Sequence, residues 1–163
     1  GPAGVVIVIV RDDLIREDVL PFTPTIMRYK TQAEAGSLSN TPPCYGIYMC
    51  GKVFQWLKGL GGLEAMQKLN EEKAAILYDY LDQSKLFSGT AKKEFRSLMN
   101  VPFVTGNPEL DAKFIAEAKA AGIENIKGHR SVGGMRASIY NAMPKAGVEA
   151  LVQFMDKFER ENA

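Results

Sequence analysis

Between Gly128 and Ser138 the chain gathers His129, its only histidine, with Arg130, Arg136 and three glycines, Gly128, Gly133 and Gly134. Arginine grips carboxylates and phosphates through a planar, two-pronged fork, and glycines let a backbone come close to a ligand. Were the segment one regular strand, Arg130 and Arg136 would stand an even number of positions apart and point to one face. Such a pair suits a substrate with two anionic ends, unless a bulge at Gly133-Gly134 re-aims one of them. The same residues also suit an exposed strand with solvated arginines and a histidine packed for structural reasons.

A second candidate is Asn40-Thr41-Pro42-Pro43, which reads as a helix start with Thr41 as N-cap and Pro42 at the first helical position. The free N–H groups and partial positive charge of a helix N-terminus can seat a phosphate, with Asn40 and Thr41 adding side-chain hydrogen bonds. Alternatively, Thr41 does no more than cap its own helix. No zinc pattern, phosphate-binding Walker loop, dinucleotide fingerprint or serine-histidine-carboxylate set competes with these two stretches. Runs such as Glu71-Glu72-Lys73 and Glu159-Arg160-Glu161 read as solvated helix faces. Tyr45, Tyr48, Phe54 and Trp56, at helical spacing, read as core or dimer interface.

The whole composition narrows the field further. The chain has 163 residues, 46% hydrophobic and 24% charged, which suits one packed domain or a domain with part of another. Twenty basic residues against nineteen acidic ones give a net charge of +1, so no field of one sign points to nucleic acid or an anionic membrane. Cys44 and Cys50 lie on different faces of a helix and form no metal or disulfide pattern, which predicts a reducing, cytoplasmic setting. No apolar run approaches the ~20 residues of a membrane span.

The elements that must position these residues fall into two parts. Gly1-Pro2-Ala3-Gly4 leads into Val5–Val10, six β-branched residues in a row, predicted to be a strand covered on both faces as in a parallel sheet. A broken polar stretch, 21–43, precedes a helix from Pro42 to Leu57. After a break at Leu60-Gly61-Gly62, a long amphipathic helix is predicted with Leu63, Met66, Leu69, Leu77 and Leu81 on its apolar stripe. Met99–Phe103 reads as a strand that Pro102 assigns to an edge or a bulge. A helix follows over 108–121, capped by Asn107 and stopped by Gly122. Arg130–Ile139 reads as a strand or a pair of short strands, and Val148, Leu151, Val152, Met155 and Phe158 mark a last helix that begins near Pro144. The fold class is α/β: a small layered domain over 61–163, preceded by 1–60 as the tail of a larger domain.

Gly1-Pro2-Ala3-Gly4 before an apolar strand, Asn40-Thr41-Pro42-Pro43, Met99–Phe103, Gly128-His129-Arg130 and Gly133–Ala142 stand in the order and spacing of the phosphoserine aminotransferases, which the chain resembles over essentially its whole length. No quoted position departs from that pattern. The resemblance implies a fold-type I, class V, pyridoxal-phosphate transaminase, homodimeric and with active sites at the subunit interface. It also implies that glutamate donates its amino group to 3-phosphohydroxypyruvate, giving phosphoserine and 2-oxoglutarate. It assigns Asn40 and Thr41 to the cofactor phosphate across the dimer, Arg136 to the substrate α-carboxylate, and His129 with Arg130 to the distal phosphate or carboxylate. The lysine that holds the cofactor would lie three residues ahead of Gly1, so the chain is expected to be a C-terminal portion, inactive alone. In isolation, 1–60 is expected to be partly disordered, swapped or paired with another chain. The alternatives are a non-catalytic binding or dimerisation module, and a sibling transaminase or desulfurase of the same fold type.

Overall fold

The computed structural model describes residues 3–162, so Gly1 and Pro2 of the opening motif, together with Ala163, lie outside it. The chain divides into two compact units, Gly1–Leu60 and Gly61–Ala163.

In the first unit, α1 (Tyr29–Glu34) and two single 3-10 turns, Asp12–Leu14 and Thr25–Met27, precede α2 (Cys44–Gly59). The broken polar stretch therefore contains local helix. Val5–Val10 does not form the strand predicted for it. A strand exists only through a neighbour's hydrogen bonds, and among the described residues of this unit no segment supplies a ladder. Ile9 is 95% exposed and Val6 84%. Gly46 is the only buried residue described in the unit, with Val5 packed so closely that a Cβ there would lie 3.2 Å from the valine's own. Tyr45, Tyr48, Phe54 and Trp56 are all exposed, which corrects the core reading of these aromatics. The start of α2 also differs from expectation. Pro43 occupies the capping position with no side-chain cap, and the Cys44 N–H is taken by the Pro42 carbonyl at 2.8 Å. A proline pair has no N–H groups for Thr41 to cap, so the helix starts two residues later.

The second unit is a two-layer α/β domain. Its elements are α3 (Gly62–Gln83), β1 (Ser88–Gly89), β2 (Asn100–Val104), α4 (Pro108–Ala120), β3 (Met135–Ser138) and α5 (Lys145–Asn162). Gly61, at φ 102°, caps α3 at the break read from the sequence. Asn107 caps α4 by accepting the Glu109 N–H at 2.9 Å, and Gly122 ends it at φ 84°.

The three strands form an antiparallel sheet in the order β1-β2-β3, so Pro102 lies in the central strand and not at an edge. The Pro102 carbonyl accepts from Thr90 at 3.2 Å on the β1 side. The donor that proline lacks would have faced that same side, where β1 ends at Gly89. On the β3 side Pro102 stands opposite Arg136, whose N–H turns away to the Ile126 carbonyl at 2.8 Å.

Val101 and Phe103 of β2, with Met135 and Ala137 of β3, face the helices. There Phe87, Phe114 and Phe158 interlock, with ring centroids 5.0 Å apart for Phe87–Phe114 and 5.1 Å for Phe114–Phe158. Burial of each such ring stabilises the fold by ~1.5–3 kcal/mol. On α3 the inner face runs Met66, Asn70, Lys73, Leu77, Leu81, while Leu63 and Leu69, expected inside, are exposed. Lys73 is 3% exposed and not part of a solvated charge run. Helical periodicity carries it inward between Met66 and Leu77.

Candidate functional site

The segment from Gly128 to Gly134 is a closed turn and not the first half of a strand. Lys127 bridges Met135, the Gly128 N–H donates to the Gly134 carbonyl at 2.8 Å, and the N–H groups of Val132 and Gly133 both converge on the His129 carbonyl at 2.9 Å. Two positive φ values, 78° at Gly133 and 59° at Gly134, bring the chain back into β3. The glycines are demanded by space as well as by conformation. A Cβ on Gly128 would collide with the Gly133 carbonyl, and one on Gly134 would lie 2.6 Å from Val104 Cγ1.

This turn separates the residues that a single strand would have aligned. His129 and Arg130 sit exposed on the turn, whereas Arg136 lies in β3, so the two arginines do not share a strand face. His129 and Arg130 line a groove of about 380 Å³ together with Lys127 and, from the first turn of α4, Pro108 and Asp111. The Asp111 carboxylate is already engaged, accepting from the Thr105 N–H at 2.8 Å and the Thr105 hydroxyl at 2.7 Å. The groove is a concave surface whose lining is largely apolar, with Ala112 and Ile115 beside two cations, Lys127 and Arg130, that outnumber the one carboxylate.

Arg136 projects from the sheet face opposite the helices, where period-two alternation also places Asn100, Pro102 and Ser138. Its Nε is buried and has no hydrogen-bond partner among the described residues. Buried polar groups are nearly always paired, and among the described residues Arg96 Nε and Asn70 Oδ1 share this lack of a partner. Beside Arg136, Asn100 joins Ser138 and Tyr140: its Oδ1 accepts from the Ser138 hydroxyl at 3.2 Å, and its Nδ2 donates to the Tyr140 hydroxyl at 3.0 Å.

In the other unit Asn40 and Thr41 are exposed on the approach to α2, and Asn40 Nδ2 donates to the Thr41 carbonyl at 3.1 Å. With Ile47 bonded to Pro43, the N–H groups of Tyr45 and Gly46 have no backbone partner among the described residues. The sequence reading missed Lys127, Ser131, Asp111 and the Asn100–Tyr140 pair. Only Asn100 had a usable signal, its place in period with Pro102 on the outward side of β2. No group of three or more histidine, cysteine or acidic residues among the described residues could hold a metal, and none of the described helices is long and apolar enough to cross a membrane.

A small α/β layer with Lys127 and Arg130 at a turn at one end, and an arginine on the sheet face away from the helices, is the fold of a C-terminal aminotransferase domain. The chain belongs to the class-V aminotransferase family, whose model matches residues 1–151. It is 58% identical over 162 residues to the phosphoserine aminotransferase of Haemophilus influenzae, covering 99% of this chain and 44% of that one. To the enzyme of the same name from Streptococcus agalactiae it is 55% identical over 164 residues, covering 100% of this chain and 45% of that one. Among solved structures it matches the phosphoserine aminotransferase of Bacillus circulans subsp. alkalophilus at 45% identity and a TM-score of 0.89, over 94% of this chain and 43% of that one. The PLP-bound enzyme from Trichomonas vaginalis matches at 40% identity and a TM-score of 0.84, over 90% and 42%. The chain thus spans less than half the length of these relatives, and corresponds to their C-terminal part.

Proposed function

We propose that this chain forms the C-terminal part of a phosphoserine aminotransferase, a homodimeric, cytoplasmic enzyme that moves the amino group of glutamate to 3-phosphohydroxypyruvate and yields phosphoserine and 2-oxoglutarate. The observation that carries the reading is the Arg136 guanidinium, unpaired at its buried Nε on an open sheet face within a chain more than half identical to enzymes of that name. Arg136 would hold the α-carboxylate common to both amino-acid partners, and its fork geometry would fix that carboxylate in one plane. His129 and Arg130, in their groove, would take the second anion, which is a phosphate on one substrate and a carboxylate on the other.

Pyridoxal phosphate, when bound, supplies the electron sink that transamination requires. The residues before α2 fit its phosphate: Thr41 is not committed to capping, and the N–H groups of Tyr45 and Gly46 have no backbone partner among the described residues. In this reading Asn40 and Thr41 hold the phosphate of the partner subunit's cofactor, and residues 1–60 belong to the larger, cofactor-binding domain. The exposure of Val6–Ile9 and of the α2 aromatics supports that assignment, since such apolar surface needs covering. Two free thiols, Cys44 and Cys50, suit a reducing compartment. The resemblance carries the cofactor lysine to a position ahead of Gly1, so these 163 residues by themselves are expected not to transaminate.

The test compares the 163-residue chain with the enzyme that contains it, assaying glutamate with 3-phosphohydroxypyruvate and recording the visible absorption of lysine-bound cofactor. Activity and absorption in the longer enzyme, with neither in the chain alone, is the expected result. A longer enzyme that uses an unphosphorylated oxo acid equally well would make the chain part of a sibling transaminase.

A further inference from the structure

The His129 ring is oriented from within its own turn. Its Nδ1 lies 2.7 Å from the Ser131 hydroxyl and accepts the Ser131 backbone N–H at 3.3 Å. A backbone N–H can only donate, so Nδ1 presents its lone pair, and a neutral imidazole with Nδ1 as acceptor carries its hydrogen on Nε2. The hydroxyl, at the shorter distance, then also donates to Nδ1. Behind the ring, the His129 carbonyl is fixed by two N–H groups and the turn is closed by Gly128 and Gly134. Main chain and ring are therefore both held in place, and Nε2 is the ring nitrogen left for a ligand.

We propose that Ser131 is a positioning residue that locks His129 as the Nε2–H tautomer, so that an uncharged His129 still offers an N–H donor to an anion held by Arg130. This rests on the reading of the groove as an anion site, and it adds a residue that the reading did not contain. Its consequence is that anion recognition here does not depend on a protonated imidazole. Lys127 and Arg130 supply the charge and His129 supplies direction. Asp111, the carboxylate in the groove lining, has its Oδ1 taken by Thr105 and leaves the donor free.

One histidine in the chain means one imidazole pattern in a long-range ¹H–¹⁵N correlation spectrum. At pH ~8.5, where an ordinary imidazole is neutral, the wild-type chain is expected to show the Nε2–H form alone. S131A keeps the long backbone contact at 3.3 Å but loses the hydroxyl at 2.7 Å, the shorter of the two contacts at Nδ1, and is expected to admit the Nδ1–H form, with S131T restoring the single form. Titration with inorganic phosphate, followed on the same signals, is expected to weaken roughly 3- to 10-fold in S131A, as for loss of one neutral hydrogen bond, and to recover in S131T. A mixed tautomer in the wild type, or an S131A spectrum identical to it, overturns the role of Ser131 whatever phosphate does. A wild-type chain whose His129 signals ignore phosphate overturns the anion-site reading itself, and with it any use for the tautomer.

Discussion

The ammonium of Lys73, near the middle of α3, donates to the main-chain carbonyls of Tyr140 at 2.8 Å and Ile139 at 3.2 Å, and no carboxylate pairs with it among the described residues. One turn earlier Asn70 donates to Asn141 Oδ1 at 2.8 Å. Together they fasten the chain where it leaves β3, the strand that carries Arg136. Burial pushes the Lys73 ammonium below its ordinary range. Lys73→Met keeps most of the stem and removes the donor, leaving the Ile139 carbonyl without its partner while that of Tyr140 keeps the Met143 N–H at 2.9 Å, and is expected to destabilise the domain by about 1–3 kcal/mol. Urea denaturation checks this, and an unchanged midpoint would mean that the ammonium contributes nothing net.

Glu159 ties α5 to the end of α3. Its carboxylate accepts from the Ser84 hydroxyl at 2.6 Å, the Tyr80 hydroxyl at 2.8 Å and the Lys85 N–H at 2.8 Å. Burial alone would raise this carboxyl, but the donors outweigh it and hold it below its ordinary 4.5. With the folded value below the unfolded one, the stabilisation is complete above pH 4.5 and drains away as the pH falls through the lowered value. Thermal melts are expected to lose more stability between neutral pH and pH ~3 in the wild type than in E159Q. Equal losses would remove Glu159 from the acid response.

Phe114 is fully buried and meets Phe87, Phe103, Phe154 and Phe158. Phe114→Ala is expected to cost ~3–5 kcal/mol, enough to unfold a marginal domain. Phe114→Leu, which fills most of the space, is expected to remain folded with a lowered denaturation midpoint.

Gly128→Ala forces a methyl group against the Gly133 carbonyl. The turn must open to admit it, so the variant is expected to lose phosphate-dependent shifts of the His129 signals. The sheet and helices of the domain should keep their native far-ultraviolet circular dichroism. Retained phosphate response would show that the closed turn is not what positions His129.

Arg136→Lys in the longer enzyme keeps the charge but loses the fork. Weakened use of both substrates by roughly 10- to 100-fold in kcat/KM is expected, the loss of about 1.4–2.8 kcal/mol of charge-assisted hydrogen bonding. A loss confined to the phosphorylated substrate would move Arg136 from the shared carboxylate to the distal anion.

The sequence alone determined the elements whose signals are local. The cap at Asn107 and the stop at Gly122 bound α4 because they act through hydrogen bonds a few residues away, and the apolar stripe of α5, Val148 to Phe158, is a matter of period alone. It also singled out His129, Arg130 and Arg136, since their types and glycine neighbours are visible without coordinates. Tertiary structure decided what depends on partners distant in the chain. Pro102 could be central only because β1 is too short to need its missing donor, and Lys73 could be buried only because the Ile139 and Tyr140 carbonyls meet it from more than sixty residues away. The separation of Arg130 from Arg136 likewise arises from a turn closed through backbone bonds across Gly128 and Gly134, where a spacing rule for strands no longer applies. Val5–Val10 has the composition of a strand, but strand formation is a property of two chain segments, and composition describes only one of them.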